Sequence, residues 1–258
     1  MKKTRLAHLY VTAYTVVLGV VFLLFPTAVP AIQFAPGDLV WVRVTGMCLV
    51  GYSFFNLVLT SAGHVPSMRA NVVNQAIGTL SVGAMALTTD PPEIDAIAVV
   101  VLIGFVAMAV CFQLEQRAFV PPRLPRLPLT ARWNWYVAGY TGIYGFATAV
   151  LPHVILPIVG FEDPVMPWAR MSGLLFFVLC IFNIVAAREN GPRPIVIGIL
   201  VIRIWFVVNL IALGLLGYPW FVYASAGIVG TGVVGTIMSY RREQPAYGPA
   251  APPSAPVR

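Results

Sequence analysis

Charge is scarce in this sequence. Only 10% of its 258 residues are Asp, Glu, Lys or Arg, whereas 59% are hydrophobic. A soluble domain carries roughly 25% charged residues, so the composition excludes an ordinary soluble protein and indicates a multi-pass membrane protein. The net charge of +7 does not indicate a nucleic-acid partner, because the basic residues lie between apolar runs and form no separate basic domain.

Groups that carry chemistry are scarce as well. Cys48, Cys111 and Cys180 lie inside apolar runs without a CxxC motif, so they are expected to be buried small hydrophobes. The three histidines fall at the ends of apolar runs, which disfavours a haem between helices. There is no HExxH, GxSxG or phosphate-loop motif, and no Asp or Glu inside an apolar run. The sequence therefore predicts no enzyme, no catalytic residue, no metal and no cofactor.

Long apolar runs dominate what remains. Each is long enough, at about 20 residues, to cross a hydrocarbon core as a helix. We predict an all-α integral membrane protein with eight transmembrane helices, at residues 8–26, 39–60, 70–88, 96–114, 134–152, 167–187, 195–217 and 219–240.

The sequence around Trp41 occurs twice. WVRVTGMCLVGYSFFN at 41–56 is answered by WARMSGLLFFVLCIFN at 168–183. The matched residues are Trp41/Trp168, Arg43/Arg170, Gly46/Gly173, Phe55/Phe182 and Asn56/Asn183, preceded by Tyr10/Tyr136, Tyr14/Tyr140, Gly19/Gly145 and Pro26/Pro152. Matched polar, aromatic and glycine positions indicate a duplicated four-helix unit. The first run resembles a signal peptide, but its internal counterpart indicates a permanent span.

Basic and acidic residues segregate between the predicted loops. With the N-terminus in the cytoplasm, the inner side receives Lys2, Lys3, Arg5, Arg69, Arg117, Arg123, Arg126, Arg132, Arg188, Arg193, Arg241 and Arg242. The outer loops hold Asp38, Asp90, Glu93, Asp95, Glu162 and Asp163. By the positive-inside rule, we predict a bacterial inner-membrane protein with both termini cytoplasmic. Four spans per unit return the chain to its starting side, so the repeats are predicted to be parallel.

Four segments follow from this organisation. Residues 1–117 form the first repeat, 118–132 a cytoplasmic linker rich in Pro and Arg, 133–243 the second repeat, and 244–258 a disordered tail rich in Pro and Ala.

Three arginines are candidate ligand-binding residues, because charge in lipid is costly. Arg43 and Arg170 lie about one turn inside their helices and can extend outward to the interface. They are expected either to be interfacial anchors beside Trp41 and Trp168, or to face a shared cavity for an anion or lipid headgroup. Arg203 lies near the middle of its helix.

Arg203 has no acidic partner in any apolar run. Its predicted partners are amides such as Asn56, Asn74, Gln75 and Asn183, tyrosine hydroxyls, backbone carbonyls, water or a ligand. Gln75 is its approximate counterpart in the first repeat. Arg203 is thus either a structural hydrogen-bonding centre or a ligand contact.

Two further polar or small-residue features suggest helix packing. Asn56 and Asn183 are expected to hydrogen-bond between helices. The tyrosines of the first and fifth spans, spaced four residues apart, are expected to be aromatic-belt residues or to hydrogen-bond between helices. The last span carries small residues at helical spacing (Ala226, Gly227, Gly230, Thr231 and Gly235), which favours close packing within the chain.

The repeated unit resembles small bacterial four-span membrane proteins of the DoxX-like group. The resemblance rests on a first helix ending in Pro (Pro26, Pro152), a short outer loop and W-x-R-x-x-G opening the second helix. It implies a compact four-helix unit, in some members an accessory subunit of a membrane oxidoreductase. It supplies no catalytic residues.

Two functional hypotheses remain. The first is a non-enzymatic scaffold or accessory subunit with the lipid bilayer and another membrane subunit as partners, and with lipid or quinone bound between the repeats. The alternative is a transporter of small solutes or anionic lipids with its site near Arg203.

Overall fold

A computed structural model describes residues 2–28, 38–63, 65–88, 92–115, 128–161, 166–189 and 193–243. Within these ranges the chain is helical and contains no strand, which confirms the all-α prediction. The α-helices are α1 (Lys2–Leu24), α2 (Asp38–Ala62), α3 (Val65–Thr88), α4 (Pro92–Glu115), α5 (Pro128–Val150), α6 (Pro152–Ile158), α7 (Met166–Glu189), α8 (Arg193–Leu215) and α9 (Phe221–Glu243). A 3-10 turn, Pro26–Ala28, follows α1.

Six of the described helices are long and apolar enough to cross a membrane, namely α1, α2, α4, α7, α8 and α9. Helices α5 and α6 together make a seventh candidate, bent by 116°. The chain is therefore suited to span a membrane, while the full set of eight spans stays a prediction. The remaining long helix, α3, carries Asn71, Asn74 and Gln75 in its interior, and all three are buried against protein.

Close glycine contacts define two helix pairs. A Cβ atom on Gly46 of α2 would lie 2.6 Å from the carbonyl oxygen of Gly19 on α1. A Cβ atom on Gly173 of α7 would lie 2.8 Å from the carbonyl oxygen of Gly145 on α5. Only glycine allows the two backbones to approach this closely, as small residues do between membrane helices.

Helices α2 and α7 lie side by side at the centre and run in the same direction. Thr45 and Ser172 are hydrogen-bonded at 3.0 Å between their hydroxyl oxygens. About 15 Å further along both helices, the ring centroids of Phe55 and Phe182 are 4.1 Å apart. Because the same advance along each helix leads to the next contact, the two helices are parallel.

Helices α1 and α5 run opposite to their neighbours. Along α1 and α2, Gly19 lies against Gly46, and Thr15, earlier in α1, accepts a 2.7 Å bond from Ser53, later in α2. Helix α5 is likewise antiparallel to α7, because Gly145 lies against Gly173 and Gly142 against Cys180. Helices α1 and α5 therefore begin at the same end of the bundle, here called the starting end.

The third long helix of each half packs across the centre. Helix α3 contacts α4 and α7, and α8 contacts α9 and α2. The Asn74 amide of α3 donates to the Val178 carbonyl of α7 at 3.4 Å, and the Trp205 indole of α8 donates to the Met47 carbonyl of α2 at 3.1 Å. Each half thus contributes a helix to the packing of the other.

Two glutamates cap helices at the starting end. The carboxylate of Glu115, at the end of α4, accepts from the backbone N–H groups of Lys3 and Thr4 at 3.2 and 2.9 Å. The carboxylate of Glu243, at the end of α9, accepts from those of Leu129 and Thr130 at 2.7 and 3.0 Å. Free N–H groups and the helix dipole both favour an anion there. These caps join the first and last helices of each half.

Two boundaries differ from the sequence predictions. The linker was expected to reach residue 132, but α5 begins at Pro128, because proline in the first turn of a helix forfeits no hydrogen bond. The fifth span was expected to end at residue 152, followed by a loop, but the chain turns at Pro152 into the short helix α6. Residues 118–127 and the tail at 244–258 lie outside the described residues.

The small residues of α9 fall into two groups, one packed against α5 and the other facing open space. A Cβ atom on Gly232 would lie 2.9 Å from the side chain of Val137, and one on Gly235 would meet the Trp133 ring, so both lie against α5. Ala226 is buried too. In contrast, a Cβ atom on Gly227 or Gly230 would meet nothing within 4 Å. The predicted small-residue face therefore packs within the chain only in part.

Candidate functional site

The Arg203 side chain is buried in the second half, with 4% of its surface exposed. One terminal nitrogen, Nη2, donates to the Oδ1 atoms of Asn134 and Asn183 at 2.7 and 2.6 Å. The other, Nη1, donates to the hydroxyl of Thr236 and lies 3.5 Å from the Gly232 carbonyl oxygen. We call Arg203, Asn134, Asn183 and Thr236 the arginine cluster.

The arginine cluster draws acceptors from three neighbouring helices of its own half, α5, α7 and α9. Both terminal nitrogens have acceptors, and Nε has no partner in the part of the chain that the structure describes. Charged hydrogen bonds of this kind are stronger than neutral ones, so the guanidinium ties α8 to the rest of its bundle. Of the partners predicted from sequence, Asn183 is present here. Asn56, Asn74 and Gln75 lie in the first half.

A second buried cluster occupies the first half. Asn71 donates to the Oδ1 atom of Asn56 and lies 3.0 Å from Nδ1 of His8. The Tyr52 hydroxyl lies 2.6 Å from Oδ1 of Asn71 and 3.1 Å from Oε1 of Gln75. Gln75 in turn donates to the hydroxyl of Tyr14. We call these residues the amide cluster: Tyr14, His8, Tyr52, Asn56, Asn71 and Gln75.

The amide cluster contains no charged pair, and its histidine is incompletely bonded. His8 is fully buried. Since Nδ1 faces an amide donor, it acts as an acceptor, and the ring proton sits on Nε2. Nε2 has no partner within the described residues. The cluster's bonds link α1, α2 and α3 through neutral groups.

A cavity of about 90 Å³ adjoins the amide cluster, between α1–α4 and α7. We call it the α3–α7 cavity. Its polar end is formed by Tyr14, Tyr52, Asn74 and Gln75. The other lining residues include Phe22, Leu49, Met85, Ile97, Trp168 and Leu175. None of the lining residues is charged. Such a cavity, apolar with a few convergent polar groups, is typical of a site for a small ligand.

Asn74 contributes an unused acceptor to this cavity. Its side chain is 2% exposed, and its Nδ2 atom donates to the Val178 carbonyl. Its Oδ1 atom has no hydrogen-bond partner within the described residues. Leaving a buried polar atom unsatisfied costs about 1–3 kcal/mol, so this oxygen is the atom of the cavity most in need of a donor.

The corresponding region of the second half is filled differently. Aligning Gln75 with Arg203 places Phe206 where the first half has Gly78. A Cβ atom on Gly78 would meet nothing within 4 Å, whereas Phe206 is buried and packs against Phe176 with ring centroids 5.9 Å apart. Two cavities of about 40 and 110 Å³ lie there. The same alignment places Ile202 opposite Asn74, so the acceptor is absent.

Arg43 and Arg170 lie far from both clusters along their helices. Arg43 is half-buried, its Nε atom has no partner among the described residues, and Arg170 is exposed. Trp41 and Trp168 are buried and pack against Phe161 and Phe22, with ring centroids 5.0 and 5.3 Å apart. Their side chains thus contact protein, and a role as interface anchors stays a prediction.

Several site residues were missed from the sequence, namely His8, Tyr52, Asn71, Asn134 and Thr236. One signal could have found some of them: Asn71, Asn74 and Gln75 recur at spacings of three and four, which places them on one face of α3. A polar face on a membrane helix is expected to face the bundle interior. The described residues contain no group of three or more His, Cys, Asp or Glu placed to hold a metal ion.

Comparisons with protein-family models, with curated proteins and with solved structures found no match to this chain. Function is therefore inferred from the geometry of the α3–α7 cavity and the two polar clusters.

Proposed function

We propose that this chain is a non-enzymatic integral protein of the bacterial inner membrane that binds a lipid or quinone in the α3–α7 cavity. It acts there as a scaffold or accessory subunit for another membrane protein. The observation that carries the proposal is the cavity itself, uncharged and lined by both halves of the chain. Its polar end holds Asn74, which has an unused acceptor.

The proposal includes two parallel repeats of four spans, α1–α4 and α5–α9, with α5 and α6 counted as one bent span. Matched contacts support it. Thr45 and Ser172 are 127 positions apart and touch each other, as do Phe55 and Phe182 at the same spacing. Equivalent positions that touch twice along parallel helices lie beside a twofold axis that follows the helix direction. The paired glycine contacts and glutamate caps occur once in each half.

The depth of the α3–α7 cavity along its helices favours a ligand of low polarity. Tyr14 lies near the middle of α1 and Gln75 near the middle of α3, so the polar end of the cavity lies about 15 Å from either helix end. A charged headgroup is costly at that depth. A quinone, or a lipid with a small neutral head, suits the site better than a phospholipid.

The resemblance to DoxX-like proteins and the distribution of basic residues fit this proposal. The former suggests association with a membrane oxidoreductase, and the latter an inner-membrane location with cytoplasmic termini. The transporter alternative has less support, because both terminal nitrogens of Arg203 already have acceptors from the protein.

A single substitution tests the cavity. Gly78→Phe should fill the α3–α7 cavity, since open space surrounds Gly78 and phenylalanine stands at the matched position in α8. The full chain would be purified in mild detergent and its bound lipids and quinones identified by native mass spectrometry. We expect a bound neutral lipid or quinone in the natural protein and at least tenfold less in Gly78→Phe.

Gly83→Phe is the matched control. Gly83 lies on the same helix, also faces open space, and does not line the cavity. Its lipid content should equal that of the natural protein. If the natural protein carries no such ligand, or if Gly78→Phe retains it in full, the proposed function is wrong.

A further inference from the structure

A shallow groove runs along the outside of the first half, between α1 and α4. Its volume is about 460 Å³, and it is lined by Tyr10, Ala13, Tyr14, Val17, Leu18, Ala96, Ile97 and Val100. Tyr14, Leu18 and Ile97 also line the α3–α7 cavity. Groove and cavity therefore adjoin at these three side chains, which lie between the cavity and the surface that a bilayer would cover.

The groove suits an alkyl or isoprenoid chain. Apart from the tyrosine hydroxyls its side chains are apolar, and none is charged. The Tyr10 hydroxyl lies 3.5 Å from the Val100 carbonyl oxygen of α4, so α1 and α4 contact each other beside the groove.

The cavity indicates the chemistry of the head group that such a chain would carry. Asn74 lines the cavity, and the Oδ1 atom of this residue is buried without a donor among the described residues. An oxygen acceptor is satisfied by a hydroxyl or N–H group and not by an ether or ester. Because no charged residue lines the cavity, an ionised head would remain uncompensated at this depth. The cavity, at about 90 Å³, is smaller than the apolar cavity of about 150 Å³ that binds benzene, so only a small head fits, with part of it extending into the adjoining groove.

We infer that the ligand is a single-chain amphiphile with a neutral, hydroxyl-bearing head, and that it enters sideways from the bilayer between α1 and α4. The hydroxyl donates to Oδ1 of Asn74, and the chain lies in the groove beside Ala13. This inference rests on the proposed function and adds the polarity of the head, the number of chains and the route of entry.

Two decyl probes test the head: decylhydroquinone and its dimethyl ether, which has the same chain but no donor. Affinities would be measured by calorimetry on the full chain in nanodiscs, under nitrogen. We expect the hydroquinone to bind about tenfold more tightly, because one satisfied buried acceptor contributes about 1.4 kcal/mol. In Asn74→Leu the two probes should bind with equal affinity.

Ala13→Trp tests the groove. Ala13 is exposed, so a tryptophan there should block the groove without disturbing the core. Ala13→Trp should lower the affinity for decylhydroquinone at least tenfold. The affinity for methylhydroquinone, which has no long chain, should stay within about twofold of that of the natural protein. Gly139→Trp is the control, because Gly139 occupies the matched, open position on α5. It should change neither affinity.

The outcomes distinguish the hydroxyl donor, the route of entry, the number of chains and the proposed function from one another. If both decyl probes bind equally well to the natural protein, or if Asn74→Leu still prefers the hydroquinone, the donor assignment is overturned although the cavity binds ligand. If Ala13→Trp does not affect the decyl probe, the route is wrong. Displacement of the probe by a two-chain phospholipid would overturn the single-chain assignment. If no probe binds and Gly78→Phe changes nothing, the proposed function fails as well.

Discussion

Arg203 and Gln75 occupy matched positions and have opposite surroundings. A guanidinium near the centre of a membrane costs on the order of 2.5–3.5 kcal/mol even on a mild scale. In the second half this cost is offset by three side-chain acceptors, Asn134, Asn183 and Thr236. Phe206 occupies part of the adjoining space, and a cavity of about 40 Å³ remains beside Arg203. In the first half Gln75 is neutral, and Gly78 leaves the space open. The charge therefore accompanies the smaller cavity at this position, and the α3–α7 cavity lies beside the neutral cluster.

The arginine cluster should depend more strongly on its acceptors than the amide cluster does. We predict that Asn183→Leu lowers the free energy of unfolding by about 2 kcal/mol, since it removes an acceptor from a buried charge. Asn56→Leu, the matched change, leaves no charge behind and should cost about 1 kcal/mol. Reversible unfolding in mixed micelles would measure both.

A double substitution checks the cause. If the unpaired charge causes the loss of stability, Asn183→Leu combined with Arg203→Leu should be more stable than Asn183→Leu alone, because a leucine at position 203 needs no acceptor. Equal losses for Asn183→Leu and Asn56→Leu, together with no recovery in the double variant, would contradict this account of the cluster.

At the scale of helices, the two glycine contacts determine how closely α1 and α5 approach their partners. We predict that Gly46→Val and Gly173→Val each destabilise the protein by 3 kcal/mol or more, above the usual range of about 1–3 kcal/mol for overpacking. The reason is that the new Cβ would meet backbone atoms, such as the Gly19 carbonyl oxygen at 2.6 Å, and backbone cannot move aside as a side chain can. Thermal unfolding in detergent would measure the loss.

Gly83→Val serves as the comparison for these variants. It also replaces a helical glycine with a β-branched residue, but its Cβ would face open space, so its melting temperature should remain close to that of the natural protein. If all three variants melt at the same temperature, close glycine contacts are not what joins these helices.

The helices could be predicted from the sequence because their signals are local. Apolar runs locate each long helix to within a few residues, and the repeated glycines mark positions where backbones touch. Helix α6 was missed because its signal is one proline, Pro152, at the end of an apolar run. The clusters and the cavity could not be predicted, because they depend on which helices become neighbours. Asn134 lies at the predicted start of the fifth span, and only the packing of α5 and α8 against α9 brings it to Arg203.

At the scale of the whole molecule, each half packs one of its helices against the other half. Helix α3 packs on α7, and α8 packs on α2, so the α3–α7 cavity needs Trp168, Met171 and Val178 from the second half. A single repeat would lack one wall of the cavity. The two halves differ in their polar groups: the second contains the arginine cluster, and the first contains the neutral amide cluster beside the α3–α7 cavity.

Parallel repeats make a prediction about sidedness. If α1–α4 and α5–α9 cross the membrane in the same sense, the junction near Leu127 and the end of the chain lie on the same, cytoplasmic side. Fusions of a green fluorescent reporter at either place should fluoresce, and fusions of a periplasmic phosphatase should be inactive. After Gly160, between α6 and α7, the pattern should reverse. An active phosphatase at Leu127 would imply an odd number of spans before the junction. The halves would then be inverted, in conflict with the parallel contacts of Thr45 with Ser172 and Phe55 with Phe182.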